Sequence, residues 1–182
     1  MKKILVILMF FAISFALLNK NKNIPDSFVT TIADENKIAE FTTKFNKKSF
    51  GRAENIRLSA KAIDEKEILP GETFSYNNTV GPTTKENGYK MAHIFVKGQK
   101  KKGYGGGVCQ VSSTLYNAAL AANLEITERH SHSKKVYYVD EDKDAATSYG
   151  GIDLKFINNK DFPIRINSYI YNDTITVALY RI

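Results

Sequence analysis

Three consecutive glycines, Gly105-Gly106-Gly107, run straight into Val108, Cys109 and Gln110, and Cys109 is the chain's only cysteine. Glycine reaches backbone conformations that other residues resist. Behind the run, Val111, Leu115, Ala118 and Ala122 recur at i, i+4, i+7 and i+11, the spacing of one helix face. The chain must therefore turn sharply into a helix, predicted from about Cys109 to Ala122, with Asn123 closing it in a left-handed conformation. A helix start presents unpaired N–H groups and a partial positive charge. Sulfur held there is pushed toward thiolate, the nucleophilic form. A lone cysteine excludes a disulfide within the chain.

The other segments point to an α+β domain. Ile56, Ala60 and Ile63 mark a helix between Gly51 and Asp64. Pro70-Gly71 is a turn, followed by a strand around Thr73 to Tyr76 and a loop through Asn77, Asn78, Gly81 and Pro82. A strand is predicted at Met91–Val96, and a solvated basic loop or hairpin end at Lys97–Tyr104. Further strands are predicted at Phe28–Ile32, Leu124–Thr127, Lys135–Val139, Ile152–Ile157, Ile164–Tyr171 and Thr174–Tyr180, with Asn172-Asp173 turning the last pair into a hairpin. Strands and helices do not alternate regularly, which argues against a doubly wound sheet. The expectation is a single α+β domain with a mostly antiparallel sheet and about two helices.

The N-terminus reads differently. Lys2 and Lys3 precede an apolar run from Ile4 to Leu18, then Asn19-Lys20-Asn21-Lys22-Asn23. That order of basic, apolar and polar residues marks a secretory signal or an uncleaved membrane anchor over residues 1–22, with an exported domain over 23–182. The run would extend roughly 22 Å as a helix, short for a full span. The net charge is +7, but residues 1–22 hold four lysines and no acids, leaving 22 basic against 19 acidic residues in the rest. A charge of +3 suits an anionic envelope and gives no argument for nucleic acid. Outside the cytoplasm, a single cysteine is buried and inert, paired with another chain, or kept for its chemistry.

Nucleophilic catalysis needs an activated thiol, a base, and donors for the developing oxyanion. Cys109 is the candidate nucleophile. His132 is the first choice of base and His130 the second, within Glu128-Arg129-His130-Ser131-His132-Ser133; spacing alone does not separate them. The oxyanion donors fall among Gly107, the N–H groups of Cys109 and Gln110, and the Gln110 amide. Ser112, Ser113 and Thr114, in the helix's first turns, serve to satisfy backbone groups, with Ser112 also a candidate substrate contact. His93 is expected as a packed strand residue. Three histidines and one cysteine make a poor metal site, so no metal or other cofactor is expected. The glycine run lacks the lysine and Ser/Thr of a phosphate-binding loop.

These motifs resemble the VanW domain family of bacterial envelope proteins. The resemblance rests on Asn55-Ile56, the segments Leu69–Asn77 and Val80-Gly81-Pro82, Gly88-Tyr89, and above all Gly105–Ala118. It continues through Glu128-Arg129, His132-Ser133, Tyr138-Val139, Asp144-Ala145, and Asp153–Phe156 with Asn158. The chain departs from the family pattern at Asp140 and Asp142, in place of proline and glycine, and at Ala146-Thr147, in place of Thr-Val. Resemblance implies a peptidoglycan role: an L,D-transpeptidase that forms 3-3 cross-links between stem peptides through a Cys109 acyl-enzyme. Within that reading Arg129 is a candidate contact to a stem carboxylate, with a surface or sheet-edge charge as its alternative, and Asp144 or Asp153 is a candidate to orient the histidine, with loop or turn structure as the alternative. The alternatives are a non-catalytic module binding peptidoglycan or a wall polymer, and hydrolysis of the same acyl-enzyme. The implied partners are stem peptides and, through the N-terminal segment, the membrane.

Overall fold

In the computed structural model, residues 35–96 and 99–182 are described, and every element below belongs to the unit Lys37–Ile182. The apolar N-terminal run and the strand expected at Phe28–Ile32 lie outside the described residues. In chain order the elements are β1 (Lys37–Lys44), α1 (Phe50–Ile63), β2 (Lys66–Ile68), β3 (Thr73–Ser75), α2 (Tyr76–Val80), β4 (Met91–Val96), β5 (Gln99–Tyr104), α3 (Val108–Ala121), β6 (Glu125–Glu128), β7 (Lys155–Ile157), β8 (Ile164–Tyr171) and β9 (Thr174–Arg181). The strands form three sheets, β1-β9-β8-β2, β3-β7-β6 and the hairpin β4-β5, with every pairing antiparallel. The α+β expectation holds, with a third, short helix, α2, among the described residues.

The helical spacing read from the sequence is the spacing of the buried faces. Ala53, Ile56, Ala60 and Ile63 bury one side of α1, and Val111, Leu115, Ala118 and Ala119 bury one side of α3. They join Ile164, Ile166, Ile175, Val177 and Leu179 of β8 and β9 in one core. Each valine, leucine or isoleucine among them contributes about 1.5–3 kcal/mol by leaving water. Two buried hydroxyl bonds join helices to sheet: Thr43 of β1 meets Thr114 of α3 at 2.8 Å, and Ser168 of β8 donates to Ala60 O at 2.7 Å. In the second sheet, Phe74 and Phe156 stack with centroids 4.9 Å apart.

Three local expectations are corrected. Asn77 and Asn78 lie in α2, not in a loop: Ser75 Oγ accepts the Asn78 N–H at 3.2 Å and caps the helix. Gln99–Tyr104 is a strand, because Lys100, Lys101 and Lys102 pair with Phe95, Ile94 and His93 while remaining exposed. Lys135–Val139 forms no strand, although Val136 to Val139 carries the right residue types. His130 and His132 likewise lie outside any strand, just past the end of β6.

The glycine run packs where side chains would collide. At Gly106 a Cβ would lie 2.4 Å from His93 O and 2.9 Å from Ala92 Cβ. Asn55 fixes the same contact from α1, donating to Lys90 O (2.9 Å) and Gly106 O (3.0 Å) and accepting the Lys90 N–H at 2.7 Å. Gly106→Ala should therefore lower the denaturant-unfolding free energy by about 3 kcal/mol, since backbone must move to admit the methyl group. Gly71→Ala makes the control: its φ is +76° with nothing within 4 Å, so only the left-handed backbone is penalised, by about 1 kcal/mol. Equal losses at the two positions would refute the packing argument.

Candidate active site

Gly107 caps α3 at φ +112°, in the left-handed region, and places Cys109 in the first turn. Val108 and Gln110 donate their N–H groups to Gly105 O (3.1 Å) and Gly107 O (2.9 Å). Cys109 is half-buried: densely surrounded, yet with part of its surface open to solvent. Its Sγ donates to Thr147 O at 3.4 Å and lies 3.9 Å from Thr147 Oγ1.

The polar face of α3 holds the segment that completes the site. Asn117 donates to Lys143 O at 2.7 Å, and Ser112 donates to Ala145 O at 2.7 Å. Ser113 Oγ accepts the Ala145 N–H at 2.9 Å. Ala146 N–H donates to His130 O at 2.8 Å, which ties this extended segment to the one carrying the histidines. Asp144 is thereby fixed opposite His132. Its Oδ2 accepts both the His132 backbone N–H at 2.6 Å and Nδ1 at 2.5 Å. The other ring nitrogen is left for the thiol. Arg129 closes the outer side, donating from Nε to Asp144 O at 2.6 Å and from Nη2 to Oδ1 at 2.8 Å.

Cys109, His132 and Asp144 thus share one site, the Asp144 carboxylate bonded to the His132 ring and the ring in turn hydrogen-bonded to the thiol. Burial raises the thiol's pKa, but the hydrogen bond and charge of His132 outweigh it, with help from the Thr147 hydroxyl as a donor, and the net shift is downward. Burial lowers the pKa of His132, but the thiolate and the Asp144 carboxylate favour its protonated form, and the net shift is upward. Burial raises the pKa of Asp144, while the His132 N–H, the imidazolium and Arg129 bring it below the ordinary carboxylate value. Each net shift is caused by the other members of the group, every one favouring the charged form of its neighbour.

The remaining sequence candidates occupy other roles. His130 faces Glu128 Oε1 at 3.1 Å instead of the thiol. Lys155 and the Asp153 N–H hold that Glu128 carboxylate down at about 2. The Gln110 amide donates to Thr43 Oγ1 and Lys44 O at 2.9 and 3.0 Å, so it is committed to β1. Ser112 is fully buried in α3's contact to Ala145. Arg129 is engaged with Asp144. Asp153 accepts the Asn77 N–H and the Ser75 hydroxyl at the start of α2 and does not reach the histidine. His93 is exposed on β4, not packed.

Two residues near the cysteine were not singled out from sequence. Tyr138 Oη donates to Cys109 O at 3.4 Å, and burial drives its pKa upward, keeping it a neutral donor. Arg52, in the first turn of α1, lies 5.9 Å over the Tyr138 ring. A cavity of about 180 Å³ opens beside His132 and Asp144, lined also by Lys134, Lys135 and Asp140; Cys109 is not in its wall.

A half-buried thiol beside a histidine–carboxylate pair, at the start of a glycine-led helix in an antiparallel α+β scaffold, is the setting in which sequence comparison places the chain in a family. The sequence profile described as "VanW like protein" matches residues 51–180, and the chain belongs to that family. It is 44% identical over 155 residues to "Uncharacterized protein YoaR" of Bacillus subtilis (strain 168), covering 85% of this chain and 51% of that protein. It is 34% identical over 142 residues to "Vancomycin B-type resistance protein VanW" of Enterococcus faecalis (strain ATCC 700802 / V583), covering 70% of this chain and 52% of that protein. The chain spans about half the length of these curated relatives. No solved structure matches it.

Proposed function

We propose that this protein is a cell-envelope L,D-transpeptidase that forms 3-3 cross-links between peptidoglycan stems through a Cys109 thioester. The observation that carries the reading is the relay itself: a depressed thiol, a histidine raised toward imidazolium, and a carboxylate that fixes its Nδ1. The envelope setting draws on the vancomycin-resistance name of one relative.

In the first half-reaction the Cys109 thiolate attacks the carbonyl of the L-centre of a tetrapeptide stem. The Cys109 N–H at the start of α3 receives the oxyanion. The C–N bond to the terminal D-Ala breaks, the thioester forms, and His132 gives its proton to the departing amine. In the second, the side-chain amine of a neighbouring stem's diamino acid attacks the thioester. His132 takes a proton from that amine, the C–S bond breaks, and the thiolate returns. Water in place of the amine gives hydrolysis with the same residues.

The test incubates purified protein with tetrapeptide stems and identifies both the products and any acyl adduct on the chain's only thiol. A 3-3 dimer, with a Cys109 adduct matching the donor minus D-Ala, is the expected result. Tripeptide alone would make the protein a hydrolase. Neither product nor adduct would favour a non-catalytic wall-binding module.

A further inference from the structure

The Arg52 guanidinium, whose charge is felt at the thiol, has no carboxylate partner among the described residues. Among the described residues, Arg57 pairs with Glu54, Arg129 with Asp144, and Arg165 with Glu65 and Glu67, whereas Arg52 and Arg181 are joined to no carboxylate; Arg181 sits over the Phe162 ring at the end of β9, and only Arg52 stands beside the cysteine's neighbour Tyr138. Arg52 is half-buried. Its stem is locked against the glycine run: a Cβ on Gly107 would meet Arg52 Cγ at 2.9 Å and Arg52 O at 3.0 Å. Its head lies 5.9 Å over the ring of Tyr138, whose hydroxyl reaches Cys109 O. Burial lowers the pKa of Arg52, opposed by the charges of Tyr138 and Cys109, so its field reaches the sulfur.

A guanidinium fixed by packing, stacked on an aromatic ring and short of an anion, is suited to a planar carboxylate. Sequence reasoning gave that role to Arg129, but Arg129 is occupied by Asp144 on the far side of His132. We propose that Arg52 is the residue that receives the C-terminal carboxylate of the acyl donor, holding the leaving residue beside Cys109. The identity of that carboxylate rests on the transpeptidase reading; the anion site itself does not.

Two measurements separate them. The first compares alkylation of the single thiol by iodoacetate, an anion, with that by neutral iodoacetamide. Both reagents need the same thiolate, so their rate ratio reports the local field. Arg52→Gln should lower the ratio about 3- to 10-fold, and Arg52→Lys should restore much of it. The second compares donor stems ending in a free carboxylate with the same stems amidated. Wild type should prefer the acid, mainly through KM, and Arg52→Gln should erase the preference. An unchanged alkylation ratio in a folded Arg52→Gln protein overturns the proposal. So does an unchanged donor preference in an active one. A lowered ratio with no product from either donor keeps the anion site and overturns the transpeptidase reading instead.

Discussion

Cys109→Ala should abolish 3-3 cross-linking while leaving the fold nearly untouched. The sulfur's contacts to Thr147 are long, 3.4 and 3.9 Å, and the side chain is only half-buried. Its removal therefore opens no closed cavity and should change unfolding free energy by less than about 1 kcal/mol. The hydrogen bonds that hold the site run through Ser112, Ser113, Asn117 and Asp144, and alanine at 109 leaves all of them in place. Activity loss would then be chemical and not structural. Cys109→Ser sharpens the point. A hydroxyl has no thiolate to stabilise at neutral pH, so turnover should fall on the order of 10³-fold or more although a nucleophilic oxygen remains. Muropeptide analysis beside urea denaturation reads both quantities. Cross-linking that survives in Cys109→Ala would end the cysteine mechanism and leave the wall-binding module as the better reading.

The parts of this site legible in sequence are those built from neighbours in the chain. The glycine run, Cys109 and the apolar face of α3 lie within one stretch, and local backbone chemistry is enough to read them. So is the β8–β9 hairpin, whose turn residue Asn172 adopts φ +54°. Strands that owe their existence to distant partners were harder. Gln99–Tyr104 has the composition of a solvated loop, and only its ladder with β4 makes it a strand. Val136 to Val139 has the composition of a strand, but Tyr138 is spent on Cys109 and Arg52 instead of a ladder. The same logic governs the site. Spacing could not choose between two histidines two residues apart, nor between Asp144 and Asp153. The choice was made by α3, whose serines and asparagine pin the segment 143–147 beside His132. Arg52 lies 57 residues before Cys109 in sequence, and nothing local marks it off from Arg57 one turn and a half later. Only the packing of α1 on Gly107 brings it to the thiol.

Asp144→Asn should disable the relay at its far end and weaken the fold as well. One carboxylate oxygen accepts two donors from His132 and the other accepts Arg129. An asparagine in the same place must turn its own NH₂ toward one set of donors, so either the histidine or the arginine loses its acceptor. The negative charge that favours the imidazolium also disappears. The pKa of His132 should fall, and with it the support for the Cys109 thiolate. The midpoint for iodoacetamide labelling should therefore move to higher pH, by about one unit or more, with turnover lost roughly 10²- to 10⁴-fold. Stability should drop by about 3 kcal/mol at neutral pH, as for a buried charge deprived of its partner. The sign with pH follows from the depressed carboxylate. Its contribution is present in full above the unfolded value, near 4, and is lost as pH falls through the lower folded value. The gap between wild type and Asp144→Asn should hold from pH 5 to 7 and close in stronger acid. Urea titrations at several pH values, beside labelling rates, measure both effects. A labelling midpoint that does not move would show that Asp144 serves the fold alone, with His132 activating Cys109 unaided.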